Sequence, residues 1–322
     1  MQYNYSKEPN ALVAVAAHAS ATVITALSVH ATHLGVTESG VYVLDSMSSL
    51  PSAASGAAPY VVALVAALTA HGASSVTLAS AACHALGNFT LGEVGAVSAV
   101  SIGAVSALLT AVAAHPDALG VAEGACRALR GMYAATAAVS AASLDSPTVA
   151  LRTDAIVAVV EVLRVHKAAP AVAEQAAWAL VNLVAGSDAA AVARKAAAVR
   201  VGVFDLLSEA LRVHVTSVGV VFSSLWAIWS LATTDEARVA AAAASVIPAI
   251  VRAFTSHPTT TSVSETGSRA LWAVCAANDA NKSVAKLAGA PAALQTIKSR
   301  QGGTVAAELA SKALDSLGDL SL

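Results

Sequence analysis

One pattern constrains this chain more than any other feature: a helical segment that returns at intervals of about 43 residues over almost the whole length. Its clearest copy is VAEQAAWALVNLVA at 172–185, where apolar residues recur at helical spacing and neither Gly nor Pro interrupts them. Leu180 serves as the reference residue of this copy. The same apolar position returns at Leu44, Leu86, Leu129, Ile228, Leu271 and Leu314.

Two further columns keep the same register, and both lie on the same helix face as the reference residue. Eight positions earlier the residues are Val36, Leu78, Val121, Val172, Val220, Val263 and Ala306. Three positions later they are Met47, Phe89, Met132, Leu183, Leu231, Val274 and Leu317. We therefore predict a repeat protein whose core is lined by these columns.

A repeat of about 40–47 residues with two or three helices is typical of the armadillo and HEAT classes. The segment AEQAAWALVNLVAG at 173–186 resembles the third helix of an armadillo repeat, and the resemblance extends over about residues 11–318. It implies an all-α fold, a right-handed α-solenoid of about seven armadillo-type repeats, with a HEAT-like arrangement as the fallback. The third helices are then expected near 36–48, 76–89, 120–133, 171–185, 218–232, 262–276 and 304–317.

The remaining segments are assigned around this solenoid. Residues 1–10 are predicted to be a flexible N-terminus and 319–322 a tail, with 11–318 as a single repeat domain. The period lengthens before the fourth copy, where we interpret SAASLDSPTVALRT at 140–153 as a surface insertion.

Charge is scarce and unevenly placed. Charged residues make up 12% of the chain, against about 25% in a typical protein, and the net charge of −2 argues against a general nucleic-acid binder. No Asp, Glu, Lys or Arg occurs between Asp45 and Glu93. We predict that these low-charge N-terminal repeats pack on themselves or on another chain, with self-association as one form of this.

Membrane and secretion signals are weak. Residues 11–29 are long enough to cross a bilayer, but they are rich in Ala, Thr and Ser and include His18, so no membrane insertion is expected. MQYNYSKEPN offers only Lys7 beside Glu8 and does not resemble the basic start of a secretory signal. The predicted location is the cytoplasm, with the nucleus as the alternative.

Catalytic motifs are absent from the sequence. It contains no P-loop, no HExxH and no Gly-x-Ser-x-Gly, so we predict no enzyme activity and no cofactor. Cys83 and Cys126 share one column of the repeat and are interpreted as small core residues, because stacked helices lie too far apart for a disulfide. The cysteine spacing matches no zinc site, and no metal is predicted.

The histidines also follow the repeat. His30, His115, His166, His214 and His257 lie fourteen positions before the reference residue, and His71 lies fifteen before it. Each comes three residues after an apolar residue, as the last turn of a second helix would. We predict that they cap the carbonyl end of that helix, with Arg300 in the same role in the seventh repeat.

The resemblance to armadillo repeats implies that the third helices line a concave groove. In importin-α-like members, a Trp and an Asn four residues apart on this face clamp an extended peptide. Here only Trp178 with Asn182 keeps the pair, while Trp226 keeps the Trp alone and Asn88 the Asn alone. This departure argues against a nuclear-import receptor.

Aromatic residues concentrate on or beside this face in the fourth and fifth repeats, as Trp178, Phe222, Trp226 and Trp229. Trp229 and Trp272 lie one position after the reference residue, which places them toward the groove edge or the neighbouring repeat. Since Trp and Arg are enriched at binding hot spots, we predict an aromatic anchor with arginines on both sides. The predicted partner-binding residues are Tyr42, His84, Asn88, Arg127, Arg130, Trp178, Asn182, Phe222, Trp226, Ser230, Arg269 and Lys312.

The favoured function is a non-enzymatic scaffold or adaptor that binds an extended or helical segment of a partner protein. The alternatives are a nuclear-transport-type receptor for basic peptide signals and a regulator, such as an exchange factor, of a signalling enzyme. A structural alternative is a solvated helix face supported by the i,i+4 pairs Glu123–Arg127, Glu265–Arg269 and Glu308–Lys312.

Overall fold

The computed structural model describes residues 21–50, 56–138 and 146–318, and every regular element within these ranges is an α-helix. The predicted all-α class is confirmed. The predicted N-terminus at 1–10 and tail at 319–322 lie outside the described residues. The chain divides into two compact units, Met1–Leu144 and Asp145–Leu322.

In the N-terminal unit, the described helices are α1 (21–29), α2 (Leu34–Ser48), α3 (Ala57–His71), α4 (Val76–Phe89), α5 (Glu93–Ser101), α6 (Ala104–Ala114) and α7 (Leu119–Ala138). Leu44, Leu86 and Leu129 lie on α2, α4 and α7, which we call reference helices. Helix α4 packs against both α2 and α7.

The C-terminal unit consists of α8 (Ser146–Val165), α9 (Pro170–Leu183), α10 (Ala189–Arg200), α11 (Val203–Val213), α12 (Val218–Leu231), α13 (Asp235–Ala243), α14 (Val246–Ser256), α15 (Thr261–Cys275), α16 (Asp279–Leu287), α17 (Ala290–Arg300) and α18 (Val305–Ser316). Its reference helices are α9, α12, α15 and α18. Each packs against the next one along the chain.

Local sequence explains where several helices start. The Asp188 carboxylate accepts a hydrogen bond of 2.6 Å from the Ala191 amide and caps α10. Ser75, Thr234 and Thr304 cap α4, α13 and α18 in the same way. Helix α9 instead begins with Pro170, which fits the first turn because its missing N–H would have no partner there.

The repeated apolar columns form the core. Leu180, Val172 and Leu183 are fully buried on α9, and most equivalent residues on the other reference helices are buried as well. The exceptions lie on the first and last reference helices, where Val36 is 39% exposed and Met47 and Leu314 are half-buried. Among the described residues only α1 precedes α2 and no helix follows α18, so these helices are less covered on their outer sides.

The predicted insertion at 140–153 is wrong for its second half. Helix α8 begins at Ser146 and runs without a break to Val165. The sequence contains the corresponding signal, because Ser146 followed by Pro147 is typical of a helix start. Residues 139–145 lie outside the described ranges.

The turns that precede α6, α11, α14 and α17 each contain a residue in the left-handed conformation. Gly103, Gly202 and Gly289 occupy this position before α6, α11 and α17, with φ of 80°, 80° and 86°. The same position before α14 holds Ser245, with φ of 59°. This conformation costs a residue with a side chain more than it costs glycine.

Close packing of α4 and α7 requires glycine. A Cβ on Gly124 would lie 2.6 Å from the Cys83 carbonyl carbon and from the His84 nitrogen. A Cβ on Gly131 would collide with the Thr90 backbone. Cys83 itself is buried and unbridged, as are Cys126 and Cys275, and burial raises the pKa of the Cys83 thiol to about 12.

The prediction that the histidines cap their own helices is wrong for those whose partners the structure gives. The Nε2 of His115 lies 2.8 Å from the Gly72 carbonyl oxygen, in the turn that follows α3 rather than α6. His71, His214 and His257 contact Ala31, Lys167 and Val215 in the same way, at 2.7, 2.9 and 2.6 Å. A carbonyl oxygen only accepts, so each ring nitrogen must donate.

The seventh copy keeps this bond with a different residue. Gln301 Nε2 donates to the Pro258 carbonyl at 3.1 Å, so Gln301, and not the predicted Arg300, takes the place of the histidine. The helices that end at these residues are therefore joined to the turn one repeat earlier. We call this series of bonds the inter-repeat ladder.

Candidate partner-binding site

Four reference helices of the C-terminal unit present equivalent side chains on one face. Two positions before the reference residue, α9, α12, α15 and α18 carry Trp178, Trp226, Arg269 and Lys312. The first three are half-buried and Lys312 is exposed, although their immediate chain neighbours on both sides are mostly buried. This column therefore forms part of a surface that extends across four helices packed side by side.

Aromatic rings form a connected cluster at the α9–α12 end of this surface. The Trp178 ring centroid lies 5.6 Å from that of Phe222 and 5.9 Å from that of Trp226. Trp226 contacts Phe222 at 5.6 Å and Trp229 at 5.4 Å, both edge to face. We call Trp178, Phe222, Trp226 and Trp229 the aromatic cluster. All four side chains are half-buried, so the cluster keeps part of its area open to solvent.

A cation continues the cluster onto α15. The guanidinium carbon of Arg269 lies 5.1 Å from the Trp229 ring centroid, within the range of a cation–π contact. Trp272 lies one turn after Arg269 and is 52% exposed. The predicted partner-binding residues include neither Trp229 nor Trp272, for which the sequence indicates a position toward the groove edge or the neighbouring repeat. Their signal is a shared position, one residue after the reference.

Carboxylates lie one turn nearer the helix N-termini. Glu174 on α9 reaches across to the first turn of α12, where its carboxylate occupies the space that a Gly219 Cβ would fill. A negative charge beside the first turn of a helix is favourable. Glu265 and Glu308 hold the equivalent positions on α15 and α18, where they are half-buried and exposed.

The i,i+4 ion pairs suggested by the sequence do not form. Within the described part of the chain, neither Arg269 with Glu265 nor Lys312 with Glu308 comes within ion-pair distance, and the same holds for Arg127 with Glu123. The interpretation as a face held together by its own charges is wrong in this respect. Arg269 on α15 and Lys312 on α18 therefore carry charges that form no ion pair with a carboxylate of the described residues.

Buried polar groups fix the ends of the helices that carry this surface. Arg194 is 4% exposed and donates to the Leu183 and Ala185 carbonyl oxygens, both at 2.9 Å, at the end of α9. Asn281 donates to the Val274 carbonyl oxygen at 2.8 Å near the end of α15. Such bonds satisfy carbonyls that a helix end leaves free, and they hold α9 and α15 in place.

Asn182 and Ser230 complete the predicted residues of this unit. Asn182 lies one turn after Trp178, and Ser230 one turn after Trp226. Both side chains are half-buried. The structure therefore places all seven predicted residues of α9, α12, α15 and α18 on the partly exposed face of their helices.

The predicted residues of the N-terminal unit lie on its reference helices. Tyr42 and His84 line a depression of about 550 Å³, together with Asp45, Ser80 and Glu123. His84 Nδ1 lies 2.6 Å from an Asp45 carboxylate oxygen. Tyr42 is 47% exposed, so this depression is open to solvent.

Two further predicted residues of this unit, Asn88 and Arg127, have contacts within the unit. Asn88 Nδ2 donates to the Ser48 hydroxyl at 2.9 Å, which joins α4 to α2 and occupies one of the amide donors. The aliphatic stem of Arg127 lies over Gly87, where an added Cβ would be 3.1 Å from it. Arg130 is half-buried one turn further along α7.

The described ranges give little support for a metal site or for a single membrane-spanning helix. They contain no group of three or more His, Cys, Asp and Glu side chains that could hold a metal ion. No individual helix there is both long and apolar enough to cross a membrane, although two bent helix pairs, α5 with α6 and α13 with α14, meet the length and composition criteria together.

The comparisons with known proteins bear on the fold. The sequence matches no protein-family model and no curated protein. Among solved structures, it is similar to the crystal structure of an engineered protein from the Northeast Structural Genomics Consortium, with a TM-score of 0.63 and 22% sequence identity. The match covers 80% of this chain and 98% of that one. At this identity the likeness concerns the fold alone.

Proposed function

We propose that this chain is an armadillo-type α-solenoid of about seven repeats that acts as a non-enzymatic protein-interaction scaffold. The recurrence of three successive helices, of which the third is the longest, in α10–α12, α13–α15 and α16–α18 supports the repeat assignment, as do the buried columns. In this proposal, an extended or helical segment of a partner protein binds across α9, α12, α15 and α18.

The observation that carries the proposal is the partly exposed aromatic cluster. Four aromatic rings from two adjacent helices contact one another, yet none is fully buried. A cluster that served only the core would be covered, because large aromatic side chains stabilise a fold through the area they bury. Tryptophans that keep open area in a polar surrounding are typical of the anchors of protein interfaces.

The spacing of the cluster also suits a peptide. Packed helices lie about 8–10 Å apart, and an extended chain advances about 3.3 Å per residue. Anchor side chains of the partner should therefore fall about two to four residues apart if they contact Trp178 and Trp226.

The chain offers its own reporter for the test. All its tryptophans, Trp178, Trp226, Trp229 and Trp272, lie on these helices, so a ligand on this face should change the tryptophan emission. Tryptophan-free peptides of 12 residues, with apolar anchors two, three or four positions apart, are titrated into the protein. Trp226→Ala should weaken binding by about 2 kcal/mol or more if Trp226 is a hot spot.

Two control variants separate binding from stability. Val239→Ala changes a residue on α13 that is 58% exposed and should leave binding unchanged. Leu180→Ala should lower the free energy of unfolding by about 2–5 kcal/mol, and Trp226→Ala by less. If Trp226→Ala unfolds the protein while its folded fraction binds at full strength, Trp226 is a core residue and the proposal fails. Tightest binding by basic peptides would instead favour the transport-receptor alternative.

A further inference from the structure

We propose that Arg269 and Lys312 form a carboxylate-binding subsite next to the aromatic cluster, so that the partner segment carries an acidic side chain beside its apolar anchors. This inference rests on the proposed function and names the chemistry of the partner. The occupant is a protein segment with Asp or Glu side chains.

The first argument is the change of residue type along one column. Trp178 and Trp226 occupy the position on α9 and α12 that Arg269 and Lys312 occupy on α15 and α18. Because α12 packs against α15 and α15 against α18, a segment that crosses the helices meets two aromatic positions and then two cations. Apolar anchors and negative charge are therefore required at successive parts of the same segment.

The second argument is that a contact with an aromatic ring positions the guanidinium of Arg269, whereas no carboxylate of the described residues forms an ion pair with it. Its guanidinium lies on the Trp229 ring, which restricts its orientation. Its nearest candidate partner in the sequence, Glu265, is not within ion-pair distance, and the described residues offer it no other ion pair. A guanidinium that stacks through its face still presents N–H groups at its edge, where a carboxylate can bind two of them.

The third argument concerns the carboxylates on the same face. Glu265 and Glu308 lie one helical turn nearer the N-termini of their helices than the two cations. Glu174 is directed to the first turn of α12. The carboxylates therefore flank one side of the cation column, and an acidic ligand can approach Arg269 and Lys312 from the side of Trp272.

These positions set the spacing within the ligand. Trp226 and Arg269 lie on adjacent packed helices, about 8–10 Å apart. At about 3.3 Å per residue, an acidic side chain that reaches Arg269 should lie two to four residues from the anchor that contacts Trp226.

The test uses four fluorescein-labelled peptides of 12 residues that share the same leucine anchors and differ at one site. The site, three residues from an anchor, carries Glu, Gln, Lys or phosphoserine. Fluorescence anisotropy with the full chain measures each Kd at fixed salt. The Glu peptide should bind about tenfold more tightly than the Gln peptide, the range expected for a hydrogen bond to a charged group.

Two matched variants locate the effect. Arg269→Gln should abolish the preference for Glu over Gln while it leaves the Kd of the Gln peptide within about twofold. Arg252→Gln removes the same charge from α14 and should leave the preference intact. If Arg269→Gln does not fold, Lys312→Gln, a change at an exposed residue, should reduce the preference instead.

The outcomes are distinguishable. Equal binding of the Glu and Gln peptides, tightest binding of the Lys peptide, or an equal loss in Arg252→Gln would overturn the carboxylate subsite but not the scaffold. Binding of the phosphoserine peptide alone would identify a phosphate site and would also overturn it. If none of the peptides binds, or if Trp226→Ala leaves every Kd unchanged, the proposed function itself fails.

Discussion

The Nε2 atom of His214, directly after α11, lies 2.9 Å from the carbonyl oxygen of Lys167, in the turn that follows α8. One side chain thus joins the ends of helices that belong to successive copies of the repeat. The bond recurs at His71, His115 and His257, and Gln301 provides it at the last copy. The inter-repeat ladder is a contact between repeats and not a feature of any one of them.

Replacement of His214 should test the strength of one step of the ladder. His214→Ala removes the donor and leaves the Lys167 carbonyl without it, so the free energy of unfolding should fall by about 1–3 kcal/mol. His214→Gln should lose less, because Gln301 shows that an amide reaches the equivalent carbonyl. Urea unfolding of both variants measures the difference. Equal losses would mean that packing of the ring, and not its hydrogen bond, stabilises this turn.

Replacement of the residue before α14 should raise the free energy of unfolding. Ser245 has a left-handed backbone where Gly103, Gly202 and Gly289 stand in the other copies. Ser245→Gly should therefore raise the free energy of unfolding by about 1 kcal/mol, and Gly202→Ala should lower it by a similar amount. Thermal unfolding of the pair provides the comparison. A destabilised Ser245→Gly would show that the serine side chain has a stabilising contact that outweighs the backbone strain.

Where α4 packs against α7, a glycine-to-alanine change should be tolerated at one position and destabilising at another. Gly124→Ala places a Cβ 2.6 Å from backbone atoms of Cys83 and His84, which cannot move without displacing α4. Gly120→Ala meets only the Ser80 side chain, at 3.0 Å. We expect a loss of about 1–3 kcal/mol for Gly124→Ala and a smaller change for Gly120→Ala. Similar melting temperatures for the two variants would contradict the close approach of the backbones.

The contact between α2 and α4 should depend on pH. The Glu38 carboxylate accepts hydrogen bonds from Ser75 Oγ at 2.6 Å and Thr77 Oγ1 at 3.0 Å, and these bonds hold the pKa of Glu38 below its ordinary value of 4.5. Because the unfolded chain binds this proton more readily, the contribution is complete above pH 4.5 and is lost as the pH falls through the lower pKa of the folded state.

The variant Glu38→Gln isolates this effect, since glutamine does not titrate. The difference in the free energy of unfolding between the parent and Glu38→Gln should be largest at pH 7 and should shrink below pH 4.5. Urea unfolding at pH 7 and at about pH 3 measures both differences. In a Thr77→Val background the pH dependence should be weaker. A difference that stays constant with pH would show that ionisation of Glu38 has no role.

The sequence determined much of this protein through periodicity alone. Leu180 and its equivalents recur with a helical pattern, so their burial and the all-α fold follow from the need to cover one apolar face of each helix. The same register places Trp178 and Trp226 at one position of successive helices, on the face opposite the core. A local pattern is sufficient here because it determines which side of a helix is apolar.

Only the tertiary structure decided which groups the side chains on those helix faces contact. His214 contacts the Lys167 carbonyl, and Asn88 contacts the Ser48 hydroxyl, across about a full repeat of chain. Likewise, Arg269 lies on the Trp229 ring rather than beside Glu265, four residues away on its own helix. Sequence spacing predicts neighbours within a helix, but contacts between helices depend on how closely they pack, and that distance is set by glycines such as Gly124 and by the fit of the buried side chains.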